Sequence, residues 1–445
     1  VCKETEEYPE HVYFYPSPRM KKDIQERLFK IDSPPDDQIG EEMPFMLVLG
    51  PSITMGMSSM ATGVFAVSNA VSTGNVYASM PSIIMSFSML LGTVLWPIIT
   101  KYYEKRKRHD KEKLRQIKYH TYLDEIEKEI EAETALQKEI LITNAPSVQE
   151  CLTCIKNADR NLWNRTINQN DFLQLRLGIG KKKLSARFSY SERRFSLFDD
   201  NLKERLYQIC EEEKYIKEVP ITFSLFENNI CGIVGKKEVT EQTIKNLILQ
   251  IVTFYSYEDV KLIFLYDKKD VQYDFVKWLP HVFDNSKKNR FIAKDKTQLK
   301  ELSAYFENVI AYRKQLNAND IEGELPYYVI FSFDQRLGSK FDLIKSVEKA
   351  QENLHFSIVH VCEKMKDLPK ACSCVIEVSS IVGNLYDLSD LTGEKVIFKP
   401  DLVSFDCDEM SRCLSNISVD ISENEKLPQV VPFLQMFGVG KISHL

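Results

Sequence analysis

Hydrophobic and polar positions follow four different patterns along this chain. The first 44 residues are mostly polar, and no Asp, Glu, Lys or Arg occurs from Pro44 to Thr100. Residues 101–142 are rich in Lys, Glu, Arg, Leu and Ile and hold no Pro or Gly, while beyond residue 147 short apolar runs alternate with amphipathic ones. These patterns predict an α/β protein made of an N-terminal segment, an apolar helical hairpin, a long helix and a body built on a sheet.

The uncharged stretch is long enough for two membrane crossings, since each crossing of a bilayer takes about 20 apolar residues. We predict a transmembrane hairpin within 45–100, with spans at about 45–71 and 82–100. The connection between the spans reads "STGNVYASMP". A buried pair of soluble helices is the alternative interpretation.

Small residues recur at spacings of three and four in the first predicted span, which places them on one helix face. In lipid, a face of small side chains lets a second helix approach closely and gain dispersion contacts. The predicted packing residues are Ser52, Gly56, Ser59, Gly63, Ala66 and Ala70.

Lys and Arg flank the uncharged stretch on both sides, and none occurs between the two predicted spans. Because Lys and Arg near a span favour the cytoplasmic side, both ends of the hairpin are predicted to be cytoplasmic. The run "KRKR" at 105–108 then serves as a topology anchor and a contact for anionic lipid. Residues 1–44 become a cytosolic segment with no secretory signal.

The charged region is predicted to form a helical stalk over 101–145. Tyr119, Leu123, Ile126 and Ile130 form a narrow apolar stripe at helical spacing. A stripe of this length fits a contact with one partner helix or a short coiled coil.

The body, 146–445, is predicted to contain a largely parallel sheet covered by helices on both faces, because continuous apolar strands alternate with amphipathic helices. Predicted helices lie near 242–255, 297–316 and 341–353, and the region 148–220 is expected to add a helix and further strands. The predicted strands are 221–226, 230–235, 260–267, 327–334 and 355–362.

The sequence "CGIVGKKEVTEQT", from Cys231, resembles the start of a phosphate-binding loop. It carries Gly235, Lys236 and Lys237, but no glycine follows Gly235 and no Lys-Ser/Thr pair occurs, and Glu238 comes directly after the lysines. Such loops need those groups to turn backbone N–H toward phosphate and to hold magnesium. We interpret the site as a degenerate nucleotide site.

Asp334, at the end of the strand "YYVIFSFD", has the position of a magnesium-binding acid, although a turn or helix cap is the commoner role there. The seven histidines show no catalytic spacing. The sequence therefore predicts no catalytic residue, no metal site and no cofactor in this segment.

Composition supports a folded protein, with 44% hydrophobic and 27% charged residues. The formal net charge of −6 argues against nucleic acid as a partner. The ten cysteines lack the paired spacing of a zinc site and are expected to be reduced thiols.

Several segments, in this order, resemble the EssC/EccC-type membrane ATPases of type VII secretion, relatives of the FtsK/SpoIIIE translocases. They follow the paired spans and the charged helix, and the resemblance as a whole extends over nearly all of the chain from the first span onward. The segments are "DFLQLRLGIG" (171–180), "GIVGKKEVTEQTIKNLILQIVTFYSYEDVKLIFLYD" (232–267), "WLPHVF" (278–283) and "VPFLQMFGVGKISHL" (431–445).

The resemblance implies a RecA-like domain with a degenerate phosphate loop, in a fragment that ends before the active ATPase domains. It implies a role in protein export at a bacterial cell membrane, with ATP and magnesium bound only by the later domains of the parent protein. Implied partners are the lipid bilayer, other secretion membrane components, exported proteins through the absent domains, and further copies of the chain, since motors of this superfamily commonly form hexamers.

Two other functions stay open at this point. In one, the body is an atypical nucleotide hydrolase that uses Lys236 or Lys237 for phosphate and Asp334 for the metal. In the other, the chain is a membrane-tethered sensor, although the short connection between the spans leaves little outside the bilayer to bind a signal.

Overall fold

The computed structural model describes most of the chain in two compact units. The helical unit comprises 25–135 and 185–214, and the sheet unit comprises 1–24, 136–184 and 215–445. The described residues are 12–14, 16–35, 45–74, 76–193, 201–315, 326–350, 352–388, 393 and 395–419.

The helical unit contains two apolar helices that run back along each other, α1 (Phe45–Thr73) and α2 (Val76–Leu90). A π-helical turn, Leu91–Leu95, leads into α3 (Trp96–Asn144). We call residues 45–95 the helix pair. No charged residue occurs in the helix pair, so both helices are uncharged along their whole length.

The connection within the helix pair is shorter than the predicted stretch 72–81, and the prediction of a ten-residue loop is wrong. Gly74 makes the turn with a φ of +64°, which glycine adopts without a steric penalty. Pro81, within the predicted connection, is the sixth residue of α2, and the helix lacks there the backbone hydrogen bond that an N–H would donate.

The helix α3 is 49 residues long and includes the predicted stalk. Its apolar stripe, from Tyr119 to Ile130, is buried within the chain itself. Nearby, β2 (Arg27–Lys30) pairs in parallel with β4 (Ala186–Ser189). The helix α5 (Asn201–Glu211) is tied to α3 by Arg205, which lies 2.5 Å from Asp124 and 2.9 Å from Glu127.

The sheet unit contains a ten-stranded sheet with the order β5-β3-β13-β12-β11-β6-β10-β9-β7-β8. Strands β6 to β11 pair in parallel, and the other pairings are antiparallel. The strands are β3 (Gln174–Lys183), β5 (Tyr215–Ser224), β6 (Ile230–Gly235), β7 (Val260–Leu265), β8 (Ile292–Ala293), β9 (Tyr327–Ser332), β10 (Phe356–Cys362), β11 (Cys374–Val378), β12 (Gly383–Asp387) and β13 (Val396–Pro400). A separate two-stranded parallel sheet consists of β1 (Val12–Phe14) and β14 (Ile417–Val419).

Two hydrophobic clusters cover the two faces of the parallel strands. On one face Phe264 and Phe331 pack with α6 (Lys237–Phe254). On the other face Ile263 and Ile330 pack with α7 (Lys296–Arg313). Successive residues of one strand enter different clusters because side chains alternate across a sheet.

The remaining α-helices in the described part of the sheet unit are short. A capping box of Ser147 and Glu150 starts α4 (Val148–Lys156), as the N-cap preference predicts. The others are α8 (Gln335–Gly338), α9 (Asp342–Glu348) and α10 (Cys407–Ser415).

The mixed α/β fold with a long helix and a largely parallel sheet confirms the broad prediction. The antiparallel half of the sheet differs from it. The predicted strand 221–226 is the end of the longer β5, which pairs antiparallel with β3 over ten residues each. Both strands mix buried with exposed or half-buried residues rather than being buried throughout as β7 and β9 are.

Candidate functional site

The carboxyl ends of the parallel strands form the edge where an open α/β sheet usually binds its ligand. Strand β6 ends there at Gly235, and β10, between β6 and β9, ends at Cys362. Strand β9 leads through Phe333 to Asp334, and β7 leads to Asp267. This edge brings the predicted loop, Gly235 to Lys237, and the predicted acid to the same side of the sheet.

Gly235 is explained by strand packing. It pairs in register with Val378 of β11, and a Cβ placed on it would collide with the carbonyl oxygen of Val378 and lie 3.2 Å from Cγ2 of Thr240. The glycine therefore lets two strands and the first turn of α6 approach closely, without any phosphate being required.

The two lysines after Gly235 differ in their surroundings. Lys236 is the N-cap of α6, is exposed, and makes no side-chain cap hydrogen bond. Lys237 donates a hydrogen bond from Nζ to Oδ1 of Asp270 at 2.9 Å, and this bond raises the pKa of the lysine. No sequence signal links Lys237 to Asp270, because the contact joins the start of α6 to a residue 33 positions further along the chain.

Acidic residues already occupy the start of α6. Glu238 lies in the first turn, where a carboxylate interacts favourably with the helix dipole. Glu241 forms an ion pair of 2.6 Å with Lys245 along the same helix.

Asp334 acts as the N-cap of α8, with its Oδ1 accepting a hydrogen bond from the backbone N–H of Arg336 at 2.8 Å. The Arg336 side chain is also 3.5 Å from Asp334 and 3.7 Å from Asp267. That arginine is 83% exposed, so solvent weakens both ion pairs. The carboxylate of Asp334 is thus oriented by a local cap.

Within the described part of the chain, no group of three or more His, Cys, Asp and Glu side chains is placed to hold a metal ion. The described cysteines are free thiols, most of them buried. Cys151, for example, has a pKa raised to about 12 by burial, which makes it a poor nucleophile.

The predicted small residues of α1 lie on the side facing α2. Ser59, Ala66 and Ala70 are buried, as is Gly56, whereas Ser52 and Gly63 are half-buried. A Cβ on Gly63 would lie 3.2 Å from the Cβ of Ser86 in α2. The hydroxyl groups of Thr62 and Ser86 lie 3.2 Å apart.

Large apolar side chains cover the opposite surface of the helix pair. The exposed ones include Ile53, Met57, Met60, Val64, Phe65, Val71, Ile84, Met85 and Phe87. Among the described residues, one helix is long and apolar enough to cross a membrane, the continuous helix Met80–Asn144, with a mean hydropathy of 1.9 in its most apolar window. Among the described residues, α1 is not identified by this criterion.

Comparisons with known proteins find similarity along the whole chain. It is 23% identical to the ESX secretion system protein YukB of Bacillus subtilis over all of this chain and 29% of the relative. It is 24% identical to the ESX secretion system protein EccC of Geobacillus thermodenitrificans and to the type VII secretion system protein EssC of Staphylococcus aureus, in each case over 82% of this chain and 25% of the relative. The chain is an EssC/EccC-type homologue.

The chain spans less than a third of the length of these EssC/EccC relatives. Among solved structures, the cytoplasmic domain of the Thermomonospora curvata type VII secretion ATPase EccC aligns over 57% of this chain and 32% of its own, with a TM-score of 0.39 and 12% identity. The structure of ATPases 2 and 3 of EssC from Geobacillus thermodenitrificans aligns over 57% of this chain and 50% of its own, with a TM-score of 0.37 and 10% identity. No family model matches the chain.

Proposed function

We propose that this chain is the membrane-anchoring and coupling region of an EssC/EccC-type secretion protein whose full length drives protein export by hydrolysing ATP. In this proposal the helix pair forms a two-span hairpin in the bacterial cell membrane, with both of its ends in the cytoplasm. The sheet unit links the anchor to ATPase domains elsewhere in the protein and does not itself hydrolyse ATP.

The observation that carries the proposal is the outward apolar surface of the helix pair. Soluble monomers rarely expose a contiguous apolar patch of more than a few hundred Å², yet Val64, Phe65 and Val71 are 62%, 68% and 79% exposed on α1 alone. Ile84, Met85 and other large side chains continue this surface on α2. A hydrocarbon environment makes such a surface stable.

The geometry of the strand edge supports a sheet unit without hydrolytic activity. The groups that resemble a phosphate loop already have other roles, since Gly235 accommodates Val378 and Lys237 pairs with Asp270. Asp334 caps a helix, and Asp267 and Asp270 add negative charge at the same edge. Lys236 stays exposed, but the loop has no glycine after Gly235 and no Lys-Ser/Thr pair, so it does not fit a magnesium-bound triphosphate, which needs both.

The sequence relationship supports partners of the same secretion system. We propose that the helix pair contacts other membrane components and further copies of this chain, with a hexamer as the assembly to test. Exported proteins would be bound by other parts of the full-length protein.

Labelling in cells tests the topology. Ser72 is exposed beside the turn of the helix pair, and Glu104 is exposed beyond its end. A membrane-impermeant maleimide applied to intact cells is expected to label Ser72→Cys and to leave Glu104→Cys unlabelled until the cells are opened. Labelling of both variants in intact cells, or of neither at any stage, contradicts the hairpin.

Calorimetric titration of the purified full chain with magnesium and ATP tests the sheet unit. We expect no saturable heat with the native protein, and the same result with Lys237→Ala and Asp334→Ala. Magnesium-dependent binding that disappears in Asp334→Ala would instead support the atypical hydrolase.

A further inference from the structure

The sheet unit contains a cavity of about 750 Å³, away from the strand edge described above. It lies among the end of α3, the helix α4 and the carboxyl end of α6 at Thr253 and Phe254. Its volume falls in the range of small-molecule sites. Its polar lining includes Arg19, Asn144, Gln149, Arg160, Asn164 and Arg165.

Arg165 is a buried cation in the wall of this cavity. Only 4% of the residue is exposed, and its guanidinium group lies over the ring of Phe254 at 3.7 Å. One terminal nitrogen donates a hydrogen bond to the carbonyl oxygen of Asn144 at 2.8 Å. Its Nε is buried and has no hydrogen-bond partner among the described residues.

Arg313 shows what a purely structural arginine looks like in the same unit. It is 2% exposed and lies 5.0 Å from the rings of both Tyr328 and Phe356. Its guanidinium nitrogens donate to three backbone carbonyl oxygens, those of Leu354, His355 and Pro326. Arg165 has the same aromatic support without that set of acceptors.

The charge around Arg165 is not balanced by a carboxylate of its own. The described residues place no carboxylate within ion-pair distance of it. The nearby Asp171 is engaged by Arg19 at 2.6 Å and by Lys21 at 3.7 Å. Three cations therefore surround one buried carboxylate, and burial of an unpaired charge is costly.

Two acidic residues and one arginine lie at the mouth of the cavity. The acidic residues accept hydrogen bonds from neighbouring residues, whereas the arginine has no such partner among the described residues. Glu150 accepts hydrogen bonds from the backbone and side chain of Ser147, and Asp159 accepts one from the backbone of Asn161. Arg160 is exposed and forms no ion pair or hydrogen bond with any described residue.

We propose that this cavity binds a small molecule bearing a carboxylate or phosphate group, with Arg165 as the buried anchor and Arg160 as a second contact at the mouth. A planar guanidinium can bind such a group through two hydrogen bonds from its terminal nitrogens, of which one in Arg165 already donates to the carbonyl oxygen of Asn144. The neutral amides of Asn144, Gln149 and Asn164 give further donors for the rest of the molecule.

The proposed site is distinct from the degenerate phosphate loop. Lys237 lies at the first residue of α6 and Phe254 at its last, 18 residues along the helix, which places them about 25 Å apart. Substitutions at one place are therefore not expected to act directly on the other.

Isothermal titration of the full chain in mild detergent tests this proposal, with inorganic phosphate and glutarate as probes and sodium chloride to hold ionic strength constant. We expect saturable binding of at least one probe with a Kd of about 1 mM. Arg165→Gln is expected to abolish it, and Arg165→Lys to weaken it about tenfold, because an ammonium group cannot make the two parallel hydrogen bonds. The exposed Arg160→Gln is expected to weaken binding about threefold.

Arg313→Lys is the matched control for a buried arginine, and Lys237→Ala is the control for the strand edge. Neither control is expected to change binding. Circular dichroism checks that each variant is folded, and if Arg165→Gln does not fold, Arg165→Lys and Arg160→Gln decide the result. The proposal is overturned if neither probe binds at about 20 mM, if the folded Arg165 and Arg160 variants bind like the native chain, or if Lys237→Ala removes binding.

Discussion

The helix pair and the sheet unit place their side chains in opposite ways. In the helix pair the large apolar residues point outward, as Phe65 does at 68% exposed, and the small ones, such as Ala66 at 8%, lie between the helices. In the sheet unit the large residues are inside, and Phe331 is 0% exposed. Large apolar residues thus lie on the surface of the helix pair and in the core of the sheet unit.

This contrast indicates what holds each region together. In water, burial of apolar surface contributes about 25 cal/mol per Å², so the sheet unit gains most from its large core residues. Between helices in lipid that contribution is absent, and close packing of small residues takes its place.

The largest expected difference is between two phenylalanines. Phe331→Ala removes a fully buried ring of β9 and is expected to lower the free energy of unfolding of the sheet unit by about 3–5 kcal/mol. Phe65→Ala removes an exposed ring on the outer surface of α1. It is expected to change the free energy of unfolding of the chain by less than about 0.5 kcal/mol. Urea unfolding of the full chain in detergent measures both, and equal losses would contradict the contrast.

Two glycines give the next comparison. Gly235→Ala forces a Cβ against the carbonyl oxygen of Val378 and is expected to cost about 1–3 kcal/mol of stability. Gly92, in the π-helical turn of the helix pair, has nothing within 4 Å of a Cβ, so Gly92→Ala is expected to be neutral or slightly stabilising. Thermal unfolding compares them, and a neutral Gly235→Ala would show that the two strands can separate.

Acid is expected to destabilise the sheet unit through His281. This residue is fully buried, donates from Nε2 to the carbonyl oxygen of Tyr255 at 2.9 Å, and has its pKa lowered by burial to about 3. The unfolded chain takes up the proton near pH 6.5, so stability is lost as pH falls below that value toward 3. By pH 5 the expected loss is about 2 kcal/mol.

Unfolding of native protein and His281→Gln between pH 7 and 5 measures this contribution. The helix pair carries no such group among its described residues 45–74 and 76–95. A native protein whose stability falls no more steeply than that of His281→Gln would rule out the histidine as the cause.

The smallest expected effect concerns the packing of the helix pair. Gly63→Leu places a large side chain against Ser86 and is expected to weaken the helix contact by about 1 kcal/mol. Disulfide formation between Thr62→Cys and Ser86→Cys in membranes reports the contact and is expected to fall about fivefold. Val64→Leu, on the exposed face, is the control, and an equal loss of cross-linking there would contradict specific packing.

Local sequence pattern predicted the elements whose burial is continuous or strictly periodic. The apolar runs at 230–235 and 327–334 correspond to β6 and β9, and the long charged region forms α3. Strands β12 and β13 were not predicted, because "GNLYD" and "VIFKP" are short and mix polar with apolar residues, as antiparallel strands with one exposed face do.

At the candidate sites, the decisive features are contacts between residues far apart in sequence. Gly235 and Lys237 could be recognised from the sequence, but their partners, Val378 and Asp270, could not. Arg165 gave no signal at all, since its burial over Phe254 depends on how α4 and α6 pack. Spacing along the chain cannot show which cations already have partners.

The surroundings of the helix pair can be measured directly by electron paramagnetic resonance of spin labels in liposomes that contain the full chain. A label at Phe65→Cys is compared with one at Lys340→Cys, an exposed position of the sheet unit. If α1 lies in the bilayer, the first label is accessible to oxygen and protected from a water-soluble nickel complex, while the second is readily reached by nickel. Equal and high access of nickel to both labels would contradict the account.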